Sequence, residues 1–167
     1  MSNIVYEYSI DNSPMTFSPN ISTTRAMIVT ILYNLEGKPI TSGASSFDDV
    51  AGNIWYSDSV AWAKENNVVS GTGRNNFSPD DPISRQDLAF ILTRYAQYSQ
   101  LSIPQKRGIN VFNDDAAIGL YAKASVDELY MATVINGRSG NIFDPKGHAT
   151  RAEVATMLHQ FWTFVVS

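Results

Sequence analysis

The chain has 167 residues, 44% of them hydrophobic, enough for one domain with a real core or for a few small units packed together. A net charge of -4 argues against a nucleic-acid binder, although one or two local donors can still hold a small anion. No apolar run reaches the roughly 18–20 residues of a membrane span. There is no Cys, and Met1 to Asp11 lack the basic-then-apolar pattern of a signal peptide, so a secreted parent would carry its signal outside this chain.

Residues 4–10 read Ile-Val-Tyr-Glu-Tyr-Ser-Ile, an alternation that predicts strand more than helix. Phe17-Ser18-Pro19 follows, then Thr24-Arg25-Ala26-Met27. Thr24 is placed to cap a helix whose apolar stripe is Ile28, Ile31, Leu32 and Leu35, ended by Gly37 and Pro39. A second element opens at Phe47-Asp48-Asp49-Val50 and continues as a helix over 56–66, closing in the turn Val68-Val69-Ser70-Gly71. Phe77-Ser78-Pro79 then introduces Ser84-Arg85-Gln86-Asp87 and a stripe of Leu88, Ile91, Leu92 and Tyr95. After the linker 98–111 the pattern returns as Phe112-Asn113-Asp114-Asp115 and a helix from about 121 to 133, closing in the turn Val134-Ile135-Asn136-Gly137. Phe143-Asp144-Pro145 and Thr150-Arg151-Ala152-Glu153 follow, with the stripe Val154, Met157, Leu158, Phe161, Trp162 and Val165.

The same phrase therefore occurs three times, with Arg 8 residues after Phe in each copy and the copies 60 and 66 residues apart. Such a repeat is a supersecondary unit that buries its apolar face against its neighbours. Units 47–97 and 112–164 are complete, while 1–36 holds only the second half of one. Ser84 with Asp87, and Thr150 with Glu153, predict capping boxes. Pro19, Pro79 and Pro145 predict an extended entry into each helix.

These residues resemble S-layer homology repeats, the cell-wall anchoring modules of bacterial surface proteins, over roughly 13–165. The likeness lies in an ordered set: Phe-x-Asp, an aromatic (Trp55 or Tyr121), an Ala-rich helix, a Gly turn, Phe-x-Pro, and the Thr-Arg-Ala-Glu phrase that Thr150 to Glu153 reproduce in full. The resemblance implies an all-α fold of tandem helical repeats, packed as a pseudo-threefold assembly around a central bundle, with the first repeat incomplete. It also implies a non-catalytic module at the bacterial cell surface. Its ligand would be secondary cell-wall polysaccharide, often bearing pyruvylated N-acetylmannosamine, bound in grooves between repeats with the repeat Arg as a principal contact.

The residues themselves support such chemistry. Behind N-caps at Thr24, Ser84 and Thr150, the residues Arg25, Arg85 and Arg151 occupy the first helical position, where a cation opposes the macrodipole at a cost of roughly 0.3–1 kcal/mol. Three in equivalent places suggest a use. Backbone N–H groups at a helix start favour an anion, and a guanidinium fork beside them matches a single carboxylate. Arg85 and Arg151 rank first as candidates and Arg25 third. Trp55 and Tyr121 are candidate sugar platforms, and Gly71, Gly73 and Gly137 would let a ligand approach the main chain.

Structural alternatives stand beside these. The arginines could pair with acids such as Asp49 or Asp114, Trp55 could be core, Trp62 reads as core, and the glycines could simply form turns. With two His and no Cys, no metal-binding or nucleophile pattern is present, and no cofactor is expected. A competing reading takes the half-missing first unit as an apolar groove that another chain fills, which makes the module an assembly device.

Overall fold

The computed structural model describes residues 18–42 and 47–166, so the strand-like reading of residues 4–10 and the first phrase's Phe17 lie outside the described residues. Five α-helices follow in order: α1 (Arg25–Leu35), α2 (Ser57–Glu65), α3 (Arg85–Tyr98), α4 (Leu120–Met131) and α5 (Arg151–Phe161). A short turn, Asp115–Ala117, precedes α4, and a wider one, Trp162–Val166, extends α5. Among the described residues, extended contacts are isolated bridge pairs, so the fold is all-α. No helix among them is long and apolar enough to cross a membrane.

The caps fall where the residue types put them. Thr24, Ser84 and Thr150 each accept the backbone N–H three residues on, from Met27, Asp87 and Glu153. Only the last is reciprocated, with the Thr150 N–H donating to Glu153 Oε2 at 2.9 Å. Asp87, one methylene shorter, does not close its expected capping box; its carboxylate is turned to Tyr121 and Arg25 instead. The apolar stripes are buried as the periodicity requires, except that Leu35 and Trp162 are only partly covered. Trp62 is core.

Phe77 and Phe143 are fully buried and pack on Phe47 and Phe112, with ring centroids 5.6 and 5.5 Å apart. The residue after each Phe is not extended as the following Pro predicts. Ser18, Ser78 and Asp144 have φ of 42°, 57° and 58°. The cause is visible for the last two. Asp49 accepts the N–H groups of both Phe77 and Ser78 at 2.8 and 2.7 Å. Asp114 does the same for Phe143 and Asp144, also at 2.8 and 2.7 Å. Two successive N–H groups converge on one carboxylate only where the chain curls into a nest. The charge-assisted bonds offset the roughly 1–2 kcal/mol of a left-handed residue.

A closed ring of backbone hydrogen bonds joins the segments that lead into α1, α3 and α5. The Thr23 N–H donates to the Ala149 carbonyl at 3.0 Å, Ala149 N–H to Ile83 at 3.0 Å, and Ile83 N–H to Thr23 at 2.8 Å. Farther along, Tyr95 of α3 meets Phe161 and Trp162, each with centroids 6.0 Å away, and donates its hydroxyl to Glu36 just past α1 at 2.5 Å. The second helix of every unit is thus tied to the others at both ends.

Candidate functional site

Two of the ring segments, those leading into α1 and α3, each deliver an arginine to the junction with the next unit. Arg25, at the first position of α1, is 6% exposed, and its guanidinium lies 4.9 Å from the centroid of the Phe77 ring. Its Nε donates to the Phe77 carbonyl at 2.8 Å, Nη2 to the Ser70 carbonyl at 3.3 Å, and Nη1 to Asp87 Oδ2 at 3.4 Å. Arg85 repeats this at the next junction. It lies 5.3 Å over Phe143 and donates to the Phe143 carbonyl at 2.8 Å, the Asn136 carbonyl at 3.2 Å and Glu153 Oε1 at 3.1 Å. A guanidinium has five donors, so each keeps two for another partner.

Both arginines look into a groove. The first, of about 360 Å³, is bounded by Arg25, the Ser70-Gly71-Thr72 turn, Asp87, Phe90 and Tyr121. The second, of about 290 Å³, contains Arg85, the 134–138 turn, Glu153 and the exposed side of α5. In the first groove Tyr121 donates its hydroxyl to Asp87 Oδ1 at 2.5 Å and meets Phe90 edge-on at 5.4 Å. Burial, followed by the bond to Asp87, pushes the Tyr121 phenol above its usual range, so it remains a donor at neutral pH. Burial draws both guanidinium groups below the usual arginine range while Asp87 and Glu153 oppose it, and both stay cationic.

Two expectations are corrected. The arginines pair across the junction with Asp87 and Glu153, at the third positions of α3 and α5, whereas Asp49 and Asp114 are spent on the Phe-x-Pro nests. The helix-start N–H groups are also not free for an anion. Arg25 N–H donates to Asp81, Arg85 N–H to Gly147 and Arg151 N–H to Ile21. The next N–H of each helix goes to Pro79, Pro145 and Pro19, and the third goes to the cap. The neighbouring unit has satisfied these donors, so anion recognition here falls to the guanidinium.

Of the residues singled out from the sequence, Arg25, Gly71 and Tyr121 meet in the first groove, and Arg85 and Gly137 in the second. Gly71 and Gly137 have a packing reason. A Cβ would sit 2.9 Å from Phe47 Cε1 in one and 2.7 Å from Phe112 Cε1 in the other. Gly73, at φ 120°, shapes the turn and lines neither groove. Arg151 is half-buried and lines neither groove, and Trp55 is 42% exposed, edge-on to Tyr56.

The sequence did not single out Arg107 of the 98–111 linker. It stacks 3.5 Å over Tyr130 and donates to the Tyr130 and Ile135 carbonyls, both at 2.6 Å, and to Asn136 Oδ1 at 2.9 Å. That clamp fixes the turn whose carbonyl holds Arg85. The signal was present in the length of this linker, which lengthens the second spacing.

Burial pushes the Glu153 carboxyl up, but the Thr150 N–H, Arg85 and Arg138 outweigh it and hold it below the usual range. A depressed carboxylate contributes stability that is complete above its unfolded value of 4.5 and is lost as pH falls through the lower folded value. The melting temperature should therefore drop on acidification below about pH 4.5, and Glu153→Gln should flatten that part of the profile. A parallel drop in wild type and variant would contradict it.

Repeated helix pairs with a buried arginine, Arg25 or Arg85, reaching a groove at each of two junctions define a modular binding domain. The chain belongs to the S-layer homology domain family, whose model matches residues 46–89 and 111–155, more than half of the chain. Domains of this family bind cell-wall polysaccharide in general and anchor proteins to the wall. An amylopullulanase of Thermoanaerobacterium thermosulfurigenes is 30% identical over 86% of this chain and 8% of its own length. An exoglucanase of Acetivibrio thermocellus is 30% identical over 86% of this chain and 13% of its own. A surface-layer 125 kDa protein of Lysinibacillus sphaericus is 26% identical over 84% of this chain and 12% of its own. The chain thus spans a small fraction of the relatives it matches.

Proposed function

We propose that this chain attaches a larger protein to the outside of a bacterial cell by binding secondary cell-wall polysaccharide, without catalysis of its own. Its units are 47–97 and 112–164, with 1–36 as a partial first unit. The group recognised is the pyruvate ketal of N-acetylmannosamine, whose single carboxylate meets the guanidinium at a unit junction. The observation that carries this reading is Arg25. It is buried, fixed by a ring below and two carbonyls beside it, and left with two donors at a groove that an aromatic residue walls. A preorganised guanidinium loses little freedom when a carboxylate arrives, and Tyr121 offers a face for the sugar ring. Arg85 and Gly137 form the equivalent place in the second groove, and Arg151 with Trp55 in a third. The enzyme and surface-layer relatives, each matched over a small part, fit a portable anchor.

Calorimetric titration with a pyruvylated N-acetylmannosamine glycan should give binding that the unpyruvylated sugar lacks. Equal binding of both would remove the carboxylate from the reading, and binding of neither to the folded chain would remove the anchor.

A further inference from the structure

The two grooves are built from matching positions, so each is a control for the other. Aligning Gly71 with Gly137 sets Thr72 against Arg138 and Ser78 against Asp144. In the Arg25 groove that pair is two hydroxyls, Thr72 Oγ1 and Ser78 Oγ, 2.8 Å apart. In the Arg85 groove it is an ion pair, with Arg138 Nη1 3.0 Å from Asp144 Oδ2. Arg138 also donates through Nη2 to Glu153 Oε1 at 2.9 Å, the same oxygen that Arg85 Nη1 reaches at 3.1 Å. The two donor nitrogens therefore lie no more than about 6 Å apart, the two bonds laid end to end. The Arg138 side chain is 44% exposed, and these two contacts leave three of its five donors open. The Arg25 groove has one guanidinium and an aromatic wall; the Arg85 groove has two guanidinium groups braced by two acids.

We infer that the grooves take different glycan chemistry. The Arg25 groove accepts a sugar with one carboxylate, and the Arg85 groove, through Arg138, accepts a glycan segment with two negative groups close together. This assignment rests on the anchoring proposed above. A single carboxylate on Arg85 leaves Arg138 with its resting partners and gains nothing from it. A second anionic group reaches the open donors of Arg138, which also shields it from the carboxylates of Glu153 and Asp144. With Thr at 138, as at position 72, those two acids would face the ligand and repel a second charge. Arg138 is thus a specificity-determining residue of the second groove.

The test uses two probes in calorimetry: the methyl glycoside of pyruvylated N-acetylmannosamine, and the same sugar with an added phosphate monoester. In Arg25→Ala, which removes the first groove and leaves Arg85 and Arg138 in place, the phosphorylated probe should bind at least about tenfold tighter. The preference should grow as salt falls and vanish in Arg25→Ala/Arg138→Thr. If Arg25→Ala does not fold, the intact chain against Arg138→Thr carries the same comparison. Equal affinity for the two probes, or a preference that survives Arg138→Thr, overturns the assignment and leaves the anchor standing. Binding of neither probe to the intact chain overturns both.

Discussion

Substituting Arg25 with alanine is expected to weaken binding of a carboxylate-bearing sugar in the first groove by about 100-fold or more, since two charge-assisted hydrogen bonds of about 1.5–3 kcal/mol each are lost. Lysine should not restore it. An ammonium is a point charge without the fork, and it cannot at once serve the Phe77 and Ser70 carbonyls, stay near Asp87 and meet a ligand. Arg25→Lys should instead recover part of the stability that alanine loses, because it keeps a cation beside Asp87. The measurement is affinity and melting temperature for both variants, with Arg25→Ala/Arg85→Ala as the case in which both grooves are disabled. If Arg25→Lys binds as tightly as the wild type, the charge suffices and the two-pronged geometry is irrelevant. If the double variant folds and keeps full affinity, the Arg25 and Arg85 grooves are not the site.

Much of this arrangement could be read from residues alone, and the part that could not has a common cause. The caps at Thr24, Ser84 and Thr150 and the stripes behind them were legible because a cap and a helical period are decided within a few residues. The repeated Phe-x-Pro and Arg spacing placed Arg25 and Arg85 correctly at helix starts. The partners of those arginines were not legible. Arg25 meets Asp87 from 62 residues away and Arg85 meets Glu153 from 68, and no local pattern chooses those acids over Asp49 or Asp114. The same holds for Tyr121 on Asp87 and for the helix-start N–H groups taken up by the neighbouring unit. The reversed φ at Ser78 and Asp144 also escaped, because the carboxylate that curls the chain lies 29 and 30 residues upstream. The full Thr-Arg-Ala-Glu phrase secures a good capping box at α5 but says nothing about which junction carries a groove.

Phe143→Ala should have the largest effect on stability, about 3–5 kcal/mol, out of the roughly 5–15 kcal/mol that holds a domain of this size. Phe143 is fully buried, packs on Phe112, and underlies the Arg85 guanidinium. Removing its ring opens a cavity beneath the second groove and loosens Arg85 at once. The loss should not remain in that unit. A linear repeat array unravels from its ends, but here the Thr23 N–H on the Ala149 carbonyl joins the first segment to the last, and the Ile83 bonds complete the ring. No helix start can leave without exposing backbone donors in its neighbour. Urea unfolding of Phe143→Ala should therefore show one transition, shifted to lower urea, with far-UV circular dichroism and Trp fluorescence coinciding. Trp55 and Trp62 lie in the 47–97 unit and Trp162 just past α5, so variants that retain a single Trp of the three, Trp62 or Trp162, report on each end separately. If Trp62 unfolds at the wild-type midpoint while Trp162 shifts, the units are independent. The ring would then be a geometric closure that couples no free energy.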